Sequence, residues 1–154
     1  TLQDFLKDYI PAKRGVVVNE RGEKIGTHNG AQLYTIGQRH GLDLKVNHSN
    51  AKPHYVAHKD VKTNTLVAVE GDAHEALYRK EIILAEVNMI AKKLPKIVYA
   101  RVRYRQSVAK AMCVKKGKNL VLTFSLPQKY IAAGQSSVFY SKEGQMLGGG
   151  IIME

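Results

Sequence analysis

The apolar positions of this chain follow a helical period first and an alternating one afterwards. Leu2, Phe5, Leu6 and Tyr9 recur at helical spacing, and Pro11 ends the helix they predict. Val16-Val17-Val18, a turn around Glu20-Arg21-Gly22-Glu23, and Lys24 to His28 then predict a β-hairpin. The segment YTIGQRHGL, residues 34–42, reads as a short helical turn, with Thr35 as its N-cap and Gly41 as its C-terminal stop. His54 to Lys59 and Thr65 to Glu70 predict a second strand pair around a turn at Asp60 to Asn64, and Ala73 to Tyr78 a short helix.

From Glu81 onward alternation dominates. Strands are predicted at Glu81 to Asn88, Lys96 to Arg105, Val108 to Lys115, Asn119 to Phe124, Gln135 to Tyr140 and Gln145 to Ile152. Lys93-Leu94-Pro95, Lys116-Gly117-Lys118, Pro127 and Ala133-Gly134 separate them. Five or six short strands at this spacing predict a small antiparallel barrel or sandwich, in a chain that is mostly β with an α+β first part.

Charge divides the chain at the same place. Residues 1–78 hold ten Lys and Arg against nine Asp and Glu, whereas residues 79–154 hold fourteen against four. Between Glu86 and Glu143 there is no acidic residue and there are twelve basic ones. The two shifts together place a domain boundary near residue 79, giving domains 1–78 and 79–154. An uncompensated field of this size costs stability by self-repulsion and points to a polyanionic partner, most often nucleic acid. With 44% hydrophobic residues the chain can bury a core. No apolar run approaches the roughly 20 residues that span a bilayer, which predicts no membrane partner. The single Cys113 excludes an internal disulfide and fits a reducing, cytoplasmic setting. Thr1 opens directly into a helical pattern, which predicts a piece of a longer protein.

The densest basic segment is KIVYARVRYRQ, residues 96–106. As a strand it would place Val98, Ala100, Val102 and Tyr104 on one face and Arg101, Arg103 and Arg105 on the other, about 7 Å apart at each step. A row of guanidinium groups at that interval can follow a phosphate backbone. Lys110, Lys115, Lys116 and Lys118 are expected to extend it on the adjoining hairpin. An ordinary solvated strand face is the competing reading; three Arg without a nearby acid favour binding. No base-reading motif and no zinc-finger spacing accompanies them.

Candidates for chemistry are weak. His54 and His58 have metal-ligand spacing for a helix but fall in a strand-like segment without a third ligand, so no metal is expected. Cys113 lies in an alternating strand without a His partner, which makes it a packing residue. Gly148-Gly149-Gly150 lacks the Lys-Ser/Thr and the helix of a phosphate loop and reads as a tight strand passage. Asp4 and Asp8 lack a second carboxylate in a different environment. No catalytic residue is expected in this chain.

In order, THNGAQLYTIGQRHGL (27–42), PHYVAHKD (53–60), VRYRQ (102–106), PQKYIAAGQSSVFY (127–140) and LGGGII (147–152) resemble the tRNA-specific 2-thiouridylases across essentially the whole chain. The resemblance implies a small α+β linker domain followed by a six-stranded antiparallel β-barrel similar to the second domain of elongation factors. It implies a parent enzyme that replaces the 2-oxygen of the wobble uridine with sulfur. There, an N-terminal domain adenylates the uridine using ATP and magnesium, and two cysteines deliver sulfur received from a persulfide donor protein. The SGGVDS-like loop and both cysteines have no counterpart here, so this chain is expected to bind the tRNA anticodon arm without thiolating it and to need no cofactor of its own. Arg103, Tyr104, Arg105 and Gln106 match one tRNA-contact segment of the family, and Gln135 another. Gln38 and Arg39 either approach the active site of the whole enzyme or, the preferred reading, pin the short helix. Asp43 and His54 depart from the family, which usually has Gly and Trp there. The alternative to this reading is a stand-alone RNA-binding barrel without an enzymatic parent.

Overall fold

The computed structural model describes Tyr9 and residues 13–45 and 52–153, which form two compact units, Thr1–Leu77 and Tyr78–Glu154. The helix expected over Leu2 to Tyr9 lies, apart from Tyr9, outside the described residues.

In the first unit, β1 (Gly15–Val18) and β2 (Lys24–His28) form the hairpin that their alternation predicts, with Gly15 opposite His28. β4 (His54–Asp60) and β5 (Thr65–Glu70) form the second. The short β3 (Asp43–Leu44) extends the sheet at β2, and β1 pairs with β5 in parallel, giving the order β3-β2-β1-β5-β4. Val17, Val56, Leu66 and Ala68 bury one face, with Ala31 and Tyr34 packed among them.

Residues 34–42 are not helical. A 3-10 turn occupies Ala31–Leu33, and the chain then makes a tight turn in which the Gln38 N–H donates to the Thr35 carbonyl at 3.1 Å. Gly37, at φ +82°, is left-handed there, a conformation that stops a helix and that glycine adopts without cost. Thr35 has no helix after it to cap; its N–H donates to Gln38 Oε1 at 3.2 Å within the turn. The helix expected at Ala73 to Tyr78 is likewise one 3-10 turn, Glu75–Leu77, because Tyr78 already opens the next strand.

The second unit is a closed barrel of six antiparallel strands: β6 (Tyr78–Met89), β7 (Ile97–Arg101), β8 (Ala109–Lys116), β9 (Asn119–Lys129), β10 (Ser136–Tyr140) and β11 (Met146–Ile152). They are arranged β10-β11-β6-β9-β8-β7. Alternation supplies the interior, with Ile82 and Leu84 from β6, Leu120, Leu122 and Phe124 from β9, and Phe139 and Ile152 closing the ring. Closure removes the free sheet edges that an open six-stranded sheet would expose. The Gly148-Gly149-Gly150 run lies in β11, where β6 and β10 approach closely: a Cβ at Gly148 would stand 2.9 Å from Phe139 Cζ.

Two strand limits differ from expectation. β9 does not stop before Pro127 but continues through it. Its register against β6 jumps from Thr123–Glu81 to Gln128–Arg79, and Pro127 sits in that irregularity, where no N–H is required. β7 ends at Arg101, not Arg105, and the following residues form a turn. Among the described residues no helix is long and apolar enough to cross a membrane.

Candidate nucleic-acid interface

The end of β7 decides where the arginines go. Arg101 is the last strand residue, opposite Val138 of β10, and the Ser137 hydroxyl donates to its carbonyl at 3.0 Å. The chain then turns through residues 102–106, closed by a hydrogen bond from the Gln106 N–H to the Arg103 carbonyl at 3.1 Å. Val102 is buried, whereas Tyr104 is 88% exposed, so the two do not share a strand face. The evenly spaced row of Arg101, Arg103 and Arg105 therefore does not exist. Alternation in the sequence continues past Arg101, but the buried Val102 is followed by a reversal of the backbone.

The three guanidinium groups take different roles. Arg101 donates through Nη1 to the Tyr104 carbonyl at 3.2 Å, tying the turn back on itself. Arg103 lies over the ring of Tyr130, 5.6 Å from its centroid. Burial there lowers the Arg103 pKa from its ordinary value, and the electrostatic attraction of Tyr130 opposes that shift; the group stays cationic. Arg105 is exposed.

Two residues that the sequence reading did not single out complete the cluster. Tyr130 follows β9 with φ +58°, and Lys129 Nζ stands 4.8 Å from its ring and 5.6 Å from that of Tyr78. Arg103 and Lys129 thus both address Tyr130, an arrangement worth about 0.5–1 kcal/mol per contact where exposed. The only signal in the sequence was a Lys-Tyr pair next to PQ, too short to weigh.

Buried polar atoms mark the same place. Gln106 Oε1 and Gln135 Oε1, together with Arg101 Nε, are inaccessible to solvent and have no hydrogen-bond partner. Gln106 ends the arginine turn, and Gln135 stands immediately before β10, whose first residues pair beside Arg101.

The lysines divide. Lys110 is exposed on β8 opposite Tyr99, two residues before Arg101 on β7. Lys115, Lys116 and Lys118 surround the β8–β9 reversal, roughly 20 Å away along the strand at about 3.3 Å per residue. They do not extend the arginine cluster but occupy the opposite end of the barrel.

Gln38 and Arg39 belong to the first unit. Gln38 holds its own turn: Oε1 accepts from Thr35, Nε2 donates to the His40 carbonyl at 3.0 Å, and its carbonyl accepts from the Val56 N–H at 3.0 Å. Arg39 is exposed. The residue this region depends on most was not foreseen. His28, 1% exposed, accepts at Nδ1 from the Gly30 N–H at 3.0 Å, stands 3.1 Å by Nε2 from the Asn64 carbonyl, and meets Tyr34 edge-on. His54 and His58 lie on β4, and among the described residues no three His, Cys, Asp or Glu side chains are grouped to hold a metal. Cys113 points into the barrel, where burial pushes its pKa up to about 11.

Comparison with known proteins agrees over nearly the whole chain. The tRNA methyl transferase PRC-barrel domain model matches residues 3–70, and the aminomethyltransferase β-barrel domain model matches residues 79–152. The tRNA-specific 2-thiouridylase MnmA of Pseudomonas putida (strain W619) is 39% identical over 153 residues, covering 97% of this chain and 41% of that protein. The protein of the same name from Francisella tularensis subsp. tularensis (strain WY96-3418) is 38% identical over 156 residues, with 98% and 43% covered. The chain spans about two fifths of the length of the curated relatives it matches.

Proposed function

Since the chain belongs to the tRNA-specific 2-thiouridylase family, carrying its central and C-terminal barrel domains, we propose that it is the tRNA-holding part of a cytoplasmic enzyme that exchanges the 2-oxygen of the wobble uridine for sulfur. The observation that carries this reading is the cluster at the end of β7. Arg101, Arg103, Arg105 and Lys129 gather there with Tyr78, Tyr104 and Tyr130. Cations supply phosphate attraction, and the exposed Tyr104 ring supplies a stacking surface.

In this reading the nucleotide chemistry lies elsewhere in the parent. ATP and magnesium would be held by an adenylating domain, and sulfur would arrive from a persulfide donor protein. The residues of this chain bind and orient the anticodon arm.

A salt titration of tRNA binding tests the placement. Each phosphate contact contributes a slope of roughly 0.7–0.9 in log affinity against log salt. Arg105→Glu combined with Lys110→Glu should lower the slope by about 1.4–1.8, since both side chains are exposed and removable without unfolding the barrel. Lys115→Glu, Lys116→Glu and Lys118→Glu together should leave it nearly unchanged. The reverse pattern would move the tRNA to the other end of the barrel.

A further inference from the structure

The end of the barrel remote from the arginine turn has a different chemistry. The β6–β7 connection, residues 90–96, folds across the barrel mouth, and its Ala91 and Leu94 pack against the core. Between this connection and the β8–β9 reversal lies a cleft of about 420 Å³. Its floor is aliphatic, with Met89, Leu94 and Leu120, and its rim is cationic, with Lys92, Lys115 and Lys118. Among the described residues none of these lysines is ion-paired, and no acidic residue lines the cleft. Glu143, on the β10–β11 turn, is engaged with the Ser141 hydroxyl and lies outside the lining. Lys93, Lys96 and Lys116 flank the rim in sequence, so six ammonium groups crowd two neighbouring loops. Their mutual repulsion is a cost that a bound anion would relieve.

The lining selects among anions. Lysines hold phosphate as point charges, but the cleft offers no aromatic face for a base and no guanidinium fork, which leaves its aliphatic floor without a use in nucleic-acid binding. A phosphate backbone would also leave an aliphatic floor uncovered. Carboxylates on a peptide satisfy the ammonium rim as point charges, while one aliphatic side chain removes the floor from water, and flexible Met89 adapts to its shape. A short acidic–apolar sequence is the occupant that uses both halves of the lining.

We propose that this cleft docks an acidic segment of a partner protein, which inserts one aliphatic side chain between Met89, Leu94 and Leu120 and places carboxylates on Lys92, Lys115 and Lys118. The site stands apart from the arginine turn, so tRNA and the partner bind together. Such an arrangement lets the barrel hold its nucleic acid at one end while a second protein is recruited at the other.

The ¹⁵N-labelled 154-residue chain, titrated with the peptide acetyl-Asp-Glu-Leu-Leu-Asp-Glu-amide, provides the test. Amide shifts are expected in residues 87–94 and 115–120 and not in 101–106. Lys115→Glu with Lys118→Glu should weaken the peptide about five-fold or more, as the loss of two partly exposed ion pairs implies. Replacing both peptide leucines by serine should abolish the shifts, and adding tRNA should leave the peptide bound. If the serine peptide shifts the same amides equally, the cleft is only a diffuse positive surface and the proposal fails. Displacement of the peptide by tRNA assigns the lysines to nucleic acid instead, and absence of any shift at millimolar peptide removes the site altogether. Failure of the peptide to bind leaves the placement of tRNA at the arginine turn untouched, and the salt titration decides that placement separately.

Discussion

Acidification should loosen the first unit through one residue, His28. Its Nδ1 accepts from the Gly30 N–H at 3.0 Å, so the ring is neutral and its proton sits on Nε2, which donates to the Asn64 carbonyl 3.1 Å away. Protonation puts a second N–H at Nδ1, facing a backbone donor. Burial, the largest influence, lowers the His28 pKa from 6.5, and hydrogen bonds to the backbone at Asn64 and Val16 only partly offset it. The folded unit therefore binds its proton later than the unfolded chain does, and unfolding takes protons up. Stability from this residue is fully present above about pH 6.5 and is lost as pH falls through that value toward the lowered folded pKa.

The size of the loss follows from the contact broken. A buried Gly30 N–H without its acceptor costs about 1–3 kcal/mol, which bounds the effect of charging the ring. Asn64 is tied in as well: its side chain accepts from the Ala31 N–H at 2.9 Å, and its backbone carries φ +53°. Urea unfolding at pH 7.5 and at pH 5, with the Gly30 amide followed by NMR, should show that drop and an early loss of Gly30 protection. His28→Gln should be less stable at pH 7.5 and should lose most of the pH dependence. A long-range ¹H–¹⁵N spectrum that places the proton on Nδ1, or a His28 pKa at or above 6.5, would refute the reasoning.

Further expectations concern the barrel. Cys113, 6% exposed and with its pKa raised to about 11, should react with a disulfide reagent at pH 8 no faster than the barrel opens, which stopped-flow labelling against unfolding kinetics measures. Gly148→Ala should destabilise the barrel by about 1–3 kcal/mol in urea unfolding, because the added methyl meets the Asn88 carbonyl and the Phe139 ring and backbone must shift. Tyr104→Ala should leave unfolding unchanged while weakening an RNA hairpin with an unpaired loop by about 1–3 kcal/mol relative to a duplex of equal charge; an equal loss on both would exclude stacking.

Much of this architecture was legible because most strands have one wet and one dry face. In β8 and β10, and at Ile82 and Leu84 of β6, buried residues alternate with more exposed ones, whereas β9 buries Leu120, Val121 and Leu122 in a row. Alternation fails where burial continues but the backbone reverses: Val102 keeps the period of Val98 and Ala100, yet it ends the run and does not extend it. The turn at residues 34–42 failed for another reason. Thr and Gly at those spacings serve a capped helix and a tight turn equally, and what decides between them is remote. The Gly37 N–H and the Gln38 carbonyl are satisfied by Val56 of β4, far along the chain. The parallel pairing of β1 with β5 is equally non-local and has no local signature.

The misplaced strand also changes how the basic segment can act. Arginines spaced evenly along a strand face would track several successive phosphates and would be nearly interchangeable. In the turn they are not equivalent. Arg101 is spent on the Tyr104 carbonyl and Arg103 on Tyr130, so both are held in place, and Arg105 alone projects from the turn as an exposed cation. Held side chains have little rotamer freedom left to lose on binding, which favours geometry over reach. Their positions bring charge together with the exposed Tyr104 ring at the end of β7. A surface built this way suits a short, splayed stretch of RNA better than a long duplex, because a duplex hides the base faces that Tyr104 would stack against. If the chain holds an anticodon arm as proposed, the turn that replaces the predicted arginine row would make recognition depend on nucleic-acid shape as well as on charge.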